Sequence, residues 1–517
     1  MIVFDIQAVQ SIEHGERGIA RYTGELARAL QARHPHLVDV FAYNDAMPYA
    51  ARLDALGLEG KLQSFSELRG QRVDLLHVNS PFEQPSIGEL AVPVIAERTV
   101  VTCYDLIPYL FSDIYLPNAG AKAWYQSRLG MLVSSDAIVT DSQSAADDVI
   151  RMLSVDACVV TSIGAGTAEQ FAPPTDTLAD RMVELNKVVP TLLPGFIMVP
   201  AGPEWRKNLN GAVDAYSRLE PELRQRHQLL IASKIAEGQR VTFFDYCQAR
   251  GVADDVVVTG FVSDADLVRL YQSAELVLFP SKYEGFGLPV LEARRCGARV
   301  ITSNVSSLPE VMPEPVALFN PYDIDDIAAK LRAALTESDV IALLDTAADP
   351  GFTWERAADT LADVYAEVIG RPSLPRGHPR RQIALAAPLS VYELELATRT
   401  LALAAQLESE TESDVTIFVP NDASRFAEEW GRNVQNVRML PAHQAAGEYD
   451  VVLCVLGDKA IEKAFTAIAR IVPAQLAVWP DDVKQSKQAR TLVAVLGPAV
   501  EAGQLAAAIA RRAPNGG

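Results

Sequence analysis

Leu278-Phe-Pro-Ser-Lys-Tyr-Glu284-Gly-Phe-Gly287-Leu-Pro-Val-Leu-Glu292-Ala293 runs from a short apolar strand through a glycine-rich turn into a helix that opens with a proline. Pro289 suits the first helical turn, where its missing N–H costs nothing, and Gly285 and Gly287 let backbone come close to a ligand. Strand, turn and helix in that order make one unit of a parallel α/β sheet. The helix start offers unpaired N–H groups and a positive dipole end to an anion such as a phosphate. Glu284 precedes the turn and Glu292 lies further into the helix, so both are expected at one cleft mouth. The plainer reading leaves Glu284 solvated and gives Glu292 only the helix dipole to complement.

The same alternation of β-branched runs with amphipathic stretches extends outward in both directions and predicts parallel sheets flanked by helices. One set of strands is expected at residues 2–6, 38–43, 75–79, 99–104, 137–141 and 158–163. A second is expected at 196–200, 228–232, 256–260, 275–280, 299–303 and 316–320. The proline-rich stretch that begins at Phe171 reads as a hinge between two Rossmann-like halves, with ligands in the cleft between them. Thr353–Glu367 reads as one amphipathic helix, Arg371–Arg381 as an exposed tether, and a third α/β block follows. Its strands are expected at 383–387, 415–419, 451–455, 476–479 and 492–496, without a glycine-rich turn to mark a site. The domains are therefore 1–172, 173–370 with a helix near 353–369 that crosses back to the first, a linker at 371–381, and 382–517.

Composition narrows the function. A chain of 517 residues with 49% hydrophobic and 22% charged residues is a folded, soluble, multidomain protein rather than a disordered or membrane-embedded one. Its net charge of −20, from 66 acidic and 46 basic residues, repels nucleic acid and anionic lipid, so an anionic ligand needs a local basic patch. Five cysteines, dispersed and never paired as Cys-x-x-Cys, indicate neither a disulfide framework nor a zinc site and suit the cytoplasm. Met1-Ile-Val-Phe-Asp5 enters a strand directly, so no secretion signal is expected.

Phe196-Ile-Met-Val-Pro-Ala-Gly-Pro-Glu-Trp-Arg206-Lys207-Asn-Leu-Asn supplies such a patch, because Arg206 and Lys207 at a strand-to-helix turn can converge on a diphosphate without a metal. Asp264-Ala-Asp266 and Asp323-Ile-Asp325 read as helix N-caps rather than as metal ligands. Arg206-Lys-Asn208 followed by Glu284-(seven residues)-Glu292 resembles the retaining glycosyltransferases of family 4. So do Gly15–Tyr22, Tyr104–Pro108, Val139–Ser142, Val258–Phe261 and Ser306–Val311, each in the family's order across roughly residues 1–370.

The resemblance implies an α/β GT-B fold and a set of roles. Arg206 and Lys207 match the pair that holds the donor diphosphate. Glu284, with the backbone of Gly285, Phe286, Gly287 and Leu288, matches the donor-sugar site. Glu292 matches the ribose-binding carboxylate. Gly15 and Gly18 match the flexible loop near the diphosphate, Asp105 an acceptor-side acid, and Glu310 a Pro-Glu near the nucleotide. Two departures stand out: Tyr104-Asp105 replaces the His-Asp of many relatives, and Ser233 replaces the glycine that often precedes the lysine at Lys234.

The resemblance further implies a metal-independent hexosyltransferase that uses a nucleotide sugar, GDP-mannose first, on a surface polysaccharide or lipid-linked glycan. It leaves open a covalent adduct or same-face attack, the second favoured. Other GT-B enzymes, such as an epimerase or a phosphorylase, and a non-catalytic glycan-binding scaffold are the alternatives. Residues Ile383–Ser390 and Tyr449–Gly457 resemble the first half of a second such enzyme without its partner half. That block is expected to be non-catalytic, serving stability, oligomerisation, or contact with the acceptor or an assembly partner. A lipid-linked acceptor would place the protein at the inner face of the cytoplasmic membrane.

Overall fold

The computed structural model describes residues 1–10, 18–49, 51–58, 60–68, 71–82, 95–133, 135–153 and 155–371, and five further strands between 381 and 479. Gly15, most of the tether and the strand expected at 492–496 lie outside these residues.

The first sheet has β1 (Ile2–Asp5), β2 (Val40–Tyr43), β3 (Leu62–Ser64), β4 (Arg72–Val78), β5 (Ile95–Cys103), β6 (Ala137–Thr140) and β7 (Val160–Ser162), in the order β3-β2-β1-β4-β5-β6-β7. All neighbours are parallel. β3 was not anticipated: at three residues, with Gln63 in the middle, its sequence carries little periodic signal. The second sheet has β8 (Ile197–Val199), β9 (Leu229–Ile231), β10 (Val256–Val258), β11 (Leu276–Phe279), β12 (Val300–Ser303) and β13 (Leu318–Phe319), in the order β10-β9-β8-β11-β12-β13. β8, β9, β11 and β12 are buried along their whole length, as expected of strands covered by helices on both faces.

In each sheet the first strand lies between its second and fourth, so connections leave in opposite directions at that point and a crevice opens beyond the strand ends. β8 and β11 pair directly, with Leu276 opposite Ile197 and Val277 opposite Met198. The turns carrying Arg206 and Glu284 therefore emerge side by side.

The helix Trp354–Gly370 follows the second sheet in sequence but packs on β4, β5, β6 and the helix Ile19–Arg33 of the first. Its Tyr365 hydroxyl lies 2.5 Å from His77 Nδ1, both buried, and His77 Nε2 lies 2.7 Å from Thr102 Oγ1. The single Thr102 proton goes to Asn79 Oδ1 at 2.9 Å. The imidazole therefore donates from Nε2 and accepts from Tyr365, and burial pushes its pKa down to about 3.

The third sheet has β14 (Arg381–Ala386), β15 (Ser413–Val419), β16 (Val437–Pro441), β17 (Val451–Val455) and β18 (Gln475–Trp479), in the parallel order β16-β15-β14-β17-β18. β16, not anticipated, follows Asn436 and holds Arg438 between its apolar residues. Among the described residues no helix is long and apolar enough to cross a membrane.

Candidate active site

Arg206 and Lys207 sit on one 3-10 turn, Trp205–Lys207, that ends at Asn208 in the left-handed conformation with φ 54°. The buried Asn208 amide donates to Pro280 O at 3.1 Å and Pro321 O at 3.0 Å, tying the turn to the end of β11 and to the loop after β13. A Cβ on Gly211 would meet that amide at 2.5 Å, which explains the glycine. Lys282 N–H donates to Arg206 O at 2.7 Å and closes the join from the other side.

Both cations converge on Glu284. Arg206 Nη1 lies 2.6 Å from Oε2 and Lys207 Nζ 2.7 Å from Oε1, while Arg206 Nε reaches Glu204 Oε1 at 2.9 Å. Glu284 is only 7% exposed. Burial pushes its carboxyl pKa up, but Lys207 and Arg206 together outweigh burial and hold it below the usual value. Its backbone is fixed as well: the N–H donates to Ser306 Oγ at 2.9 Å and the carbonyl accepts from Ser307 Oγ at 3.1 Å. The plainer reading of a solvated Glu284 is thus corrected. Two cations preorganised in this way, both on Glu284 and one also on Glu204, form an arrangement chemically able to hold a diphosphate.

The turn that follows lies against the first lobe. Ser142 Oγ donates to Gly285 O at 2.5 Å, and a Cβ on Gly285 would come 2.8 Å from Tyr104 O and 3.2 Å from Asp105 Oδ2. Gly287, with φ 105°, caps the helix Leu288–Arg295, and a Cβ there would strike Leu308 Cδ2 at 2.9 Å. Phe286 is buried, edge-on to Phe352 at 5.0 Å, whereas Leu288 is half-buried at the helix start.

Glu292 is buried further along this helix, where Arg21 Nη1 approaches Oε1 at 3.3 Å and Tyr271 OH approaches Oε2 at 3.4 Å. Burial raises its pKa to about 7 despite Arg21, whose other nitrogen is taken by Asp264 at 2.5 Å. Glu292 thus has a cross-lobe partner beyond its helix dipole. Asp264 is not the N-cap expected of it: Ser263 caps that helix, accepting from Asp266 N.

On the facing lobe, Gly18 is the exposed N-cap residue of the helix Ile19–Arg33, with φ 54°, and that helix carries Arg21. Asp105 Oδ1 accepts from Ile107 N at 2.9 Å; burial raises its pKa while Arg206 pulls it down. Tyr104, at the departure from His-Asp, packs edge-on to Tyr22 at 5.0 Å in the core. Glu310 crosses the cleft and accepts from Gln143 N at 2.9 Å and Ser144 N at 2.8 Å, where the helix Gln143–Leu153 begins. Lys234 is exposed after β9, beside Ser233, whose hydroxyl lies against the Gly202 turn. Arg21, Ser142 and Asn208 fell inside the quoted motifs without an assigned role, because their partners are distant in sequence. Arg21 and Glu292, for example, are 271 positions apart.

Residues 17–168 match the family model described as Glycosyltransferase Family 4, and residues 194–348 match Glycosyl transferases group 1. The chain is 33% identical over 371 residues to the serotype-specific mannosyltransferase WbdA of Escherichia coli, covering 65% of this chain and 44% of that protein. It is 26% identical over 381 residues to the O-antigen chain mannosyltransferase B of Escherichia coli, covering 70% of this chain and 98% of that protein. The chain spans less than half the length of the WbdA relatives it matches. Among solved structures, sucrose-phosphate synthase from Thermosynechococcus elongatus matches with TM-score 0.52 and 19% identity, covering 72% of this chain and 99% of that one. Anabaena HepE in complex with UDP and glucose matches with TM-score 0.53 and 14% identity, covering 71% and 99%. These likenesses give the first two sheets the GT-B fold. With both lobes matched in order and the cleft between them lined as described, this chain belongs to the glycosyltransferases of family 4.

Proposed function

We propose that the chain transfers mannose from GDP-mannose to a growing surface polysaccharide or lipid-linked glycan, with retention at the anomeric carbon and without a metal. The observation that carries this reading is the convergence of Arg206 and Lys207 on Glu284 at the β8–β11 crevice, facing Asp105. The likeness to two mannosyltransferases of Escherichia coli supports the sugar. Breaking the C1–O bond sends its electron pair to the diphosphate oxygen, where preorganised cations and the helix N–H groups lower the barrier. The acceptor hydroxyl oxygen bonds to C1 on the face being vacated, and its proton passes to the departing diphosphate oxygen. Glu284, released from the cations when the diphosphate replaces it, accepts hydrogen bonds from donor-sugar hydroxyls. Glu292 with Arg21 holds the ribose end, Gly18 borders the diphosphate, and Lys234 and Glu310 stand near the nucleotide. Asp105 faces the acceptor. Residues 382–517 have a non-catalytic role in stability, self-association or acceptor contact, and a lipid-linked acceptor brings the protein to the inner face of the membrane.

Thermal-shift titration against GDP-, UDP-, dTDP- and ADP-sugars tests the donor, since a bound ligand raises apparent stability by mass action. Transfer to a manno-oligosaccharide in excess chelator, with the anomer read by NMR, tests the rest. Stabilisation by another nucleotide but not by GDP, or a β-linked product, would overturn it.

A further inference from the structure

Next to the cations an aromatic cluster lines the cleft rim. Trp205, next to Arg206, is 42% exposed, and Tyr322, on the loop that Asn208 anchors, is 61% exposed. Lys282 Nζ lies between them, 5.0 Å from the indole centroid and 5.6 Å from the phenol centroid. Among the described residues no carboxylate lies within salt-bridge distance of that ammonium. Phe111, from the first lobe, packs edge-on to both Trp205 at 5.3 Å and Tyr283 at 5.6 Å, so the cluster spans the cleft.

Two large rings left in water at the mouth of an enzyme site hold apolar surface that folding did not bury. A lysine held by ring faces keeps its N–H donors free for another ligand. Rings that cover C–H faces, with a donor beside them for hydroxyl oxygens, suit a pyranose. A bare phosphate would gain nothing from the rings.

We infer that Trp205, Lys282 and Tyr322 form a subsite for a pyranose unit of the acceptor glycan, held beside the transfer centre by ring stacking and by the Lys282 ammonium. The inference rests on the glycosyl-transfer reading above and extends it to the acceptor. Because Trp205 and Arg206 share one short turn and Lys282 N–H bonds Arg206 O, a sugar on the platform is positioned relative to the departing diphosphate.

The test is an equilibrium titration of an α-linked manno-oligosaccharide into the full chain, without donor, for the wild type, Tyr322→Ala, Lys282→Ala, Trp205→Ala and Trp205→Phe. Expected is an affinity loss of about fivefold or more in the three alanine variants, partial recovery in Trp205→Phe, and GDP affinity within twofold of wild type in Tyr322→Ala. An unchanged Tyr322→Ala affinity, or no oligosaccharide binding by the wild type, overturns the subsite. Parallel loss of GDP and glycan binding would mean a structural role and overturns it equally. Wild-type glycan binding that depends on the rings, without mannose transfer from GDP-mannose, would instead sink the proposed donor and leave the platform standing.

Discussion

Glu284 is the residue on which the site's charge balance turns. Two cations share one buried carboxylate, and removing any member leaves the others short of a partner in a low-dielectric setting. Lys207→Ala and Glu284→Ala are each expected to cut transfer by about tenfold or more, with circular dichroism unchanged. A purified Glu284→Ala enzyme with wild-type rate would contradict the assignment. Glu292 gives a pH signature. Its folded pKa of about 7 exceeds its ordinary 4.5, so between those values the folded chain keeps a proton that the unfolded chain releases. Stability contributed by this group therefore falls as pH rises through that window. Glu292→Gln should melt a few degrees above wild type at pH 8, since about 1 kcal/mol shifts Tm by roughly 2–4 °C in a lobe of about 150–250 residues, and should match it near pH 4. A lower melting point at pH 8 would show that the Arg21 contact outweighs burial.

The turn Glu284–Leu288 shows what an element can and cannot reveal beforehand. Its glycines, Pro289 and the flanking apolar strand were legible because each answers a local backbone demand, and β8 and β11 were expected as strands from their apolar runs, whereas their direct pairing came only with the structure. That Gly285 leaves no room for a methyl group was not legible, because the obstacle is Tyr104 O on the other lobe. Gly285→Ala should therefore impair lobe approach rather than folding. Expected is a fall in kcat/KM of roughly tenfold to a hundredfold with Tm within about 2 °C, which steady-state kinetics and calorimetry check together. β3 and β16 escaped for a different reason: short strands with a polar residue among the apolar ones lack the periodicity that betrays longer ones. Arg21 and Asn208 escaped because their partners are set by the fold; Arg206, Lys207 and Glu284 were visible as motifs within a resemblance, but the ion pairs between them were not.

Among the described residues several contacts between the lobes are polar and specific, alongside the Phe111 ring contacts: Ser142 to Gly285, Glu310 to the Gln143–Leu153 helix start, Tyr115 OH to Glu204 at 2.7 Å. Hydrogen bonds of this kind can be exchanged for water at small net cost, which would let the lobes part for the proposed donor. The attachment of the helix Trp354–Gly370 to the first sheet differs, being apolar around one buried pair, Tyr365 and His77. Tyr365→Phe would leave the imidazole Nδ1 without its donor and is expected to cost about 1–3 kcal/mol, readable as a lower chemical-denaturation midpoint. Unchanged stability would mean that water replaces the phenol.

The route of the helix Trp354–Gly370 limits how the protein can be taken apart. Expressing residues 1–172 alone would strip the Leu361, Val364 and Tyr365 side chains from the surface they cover and invite clumping. A soluble first half calls for two pieces of polypeptide, supplied together or spliced by an artificial loop, and any screen for compounds aimed at one half should be built that way.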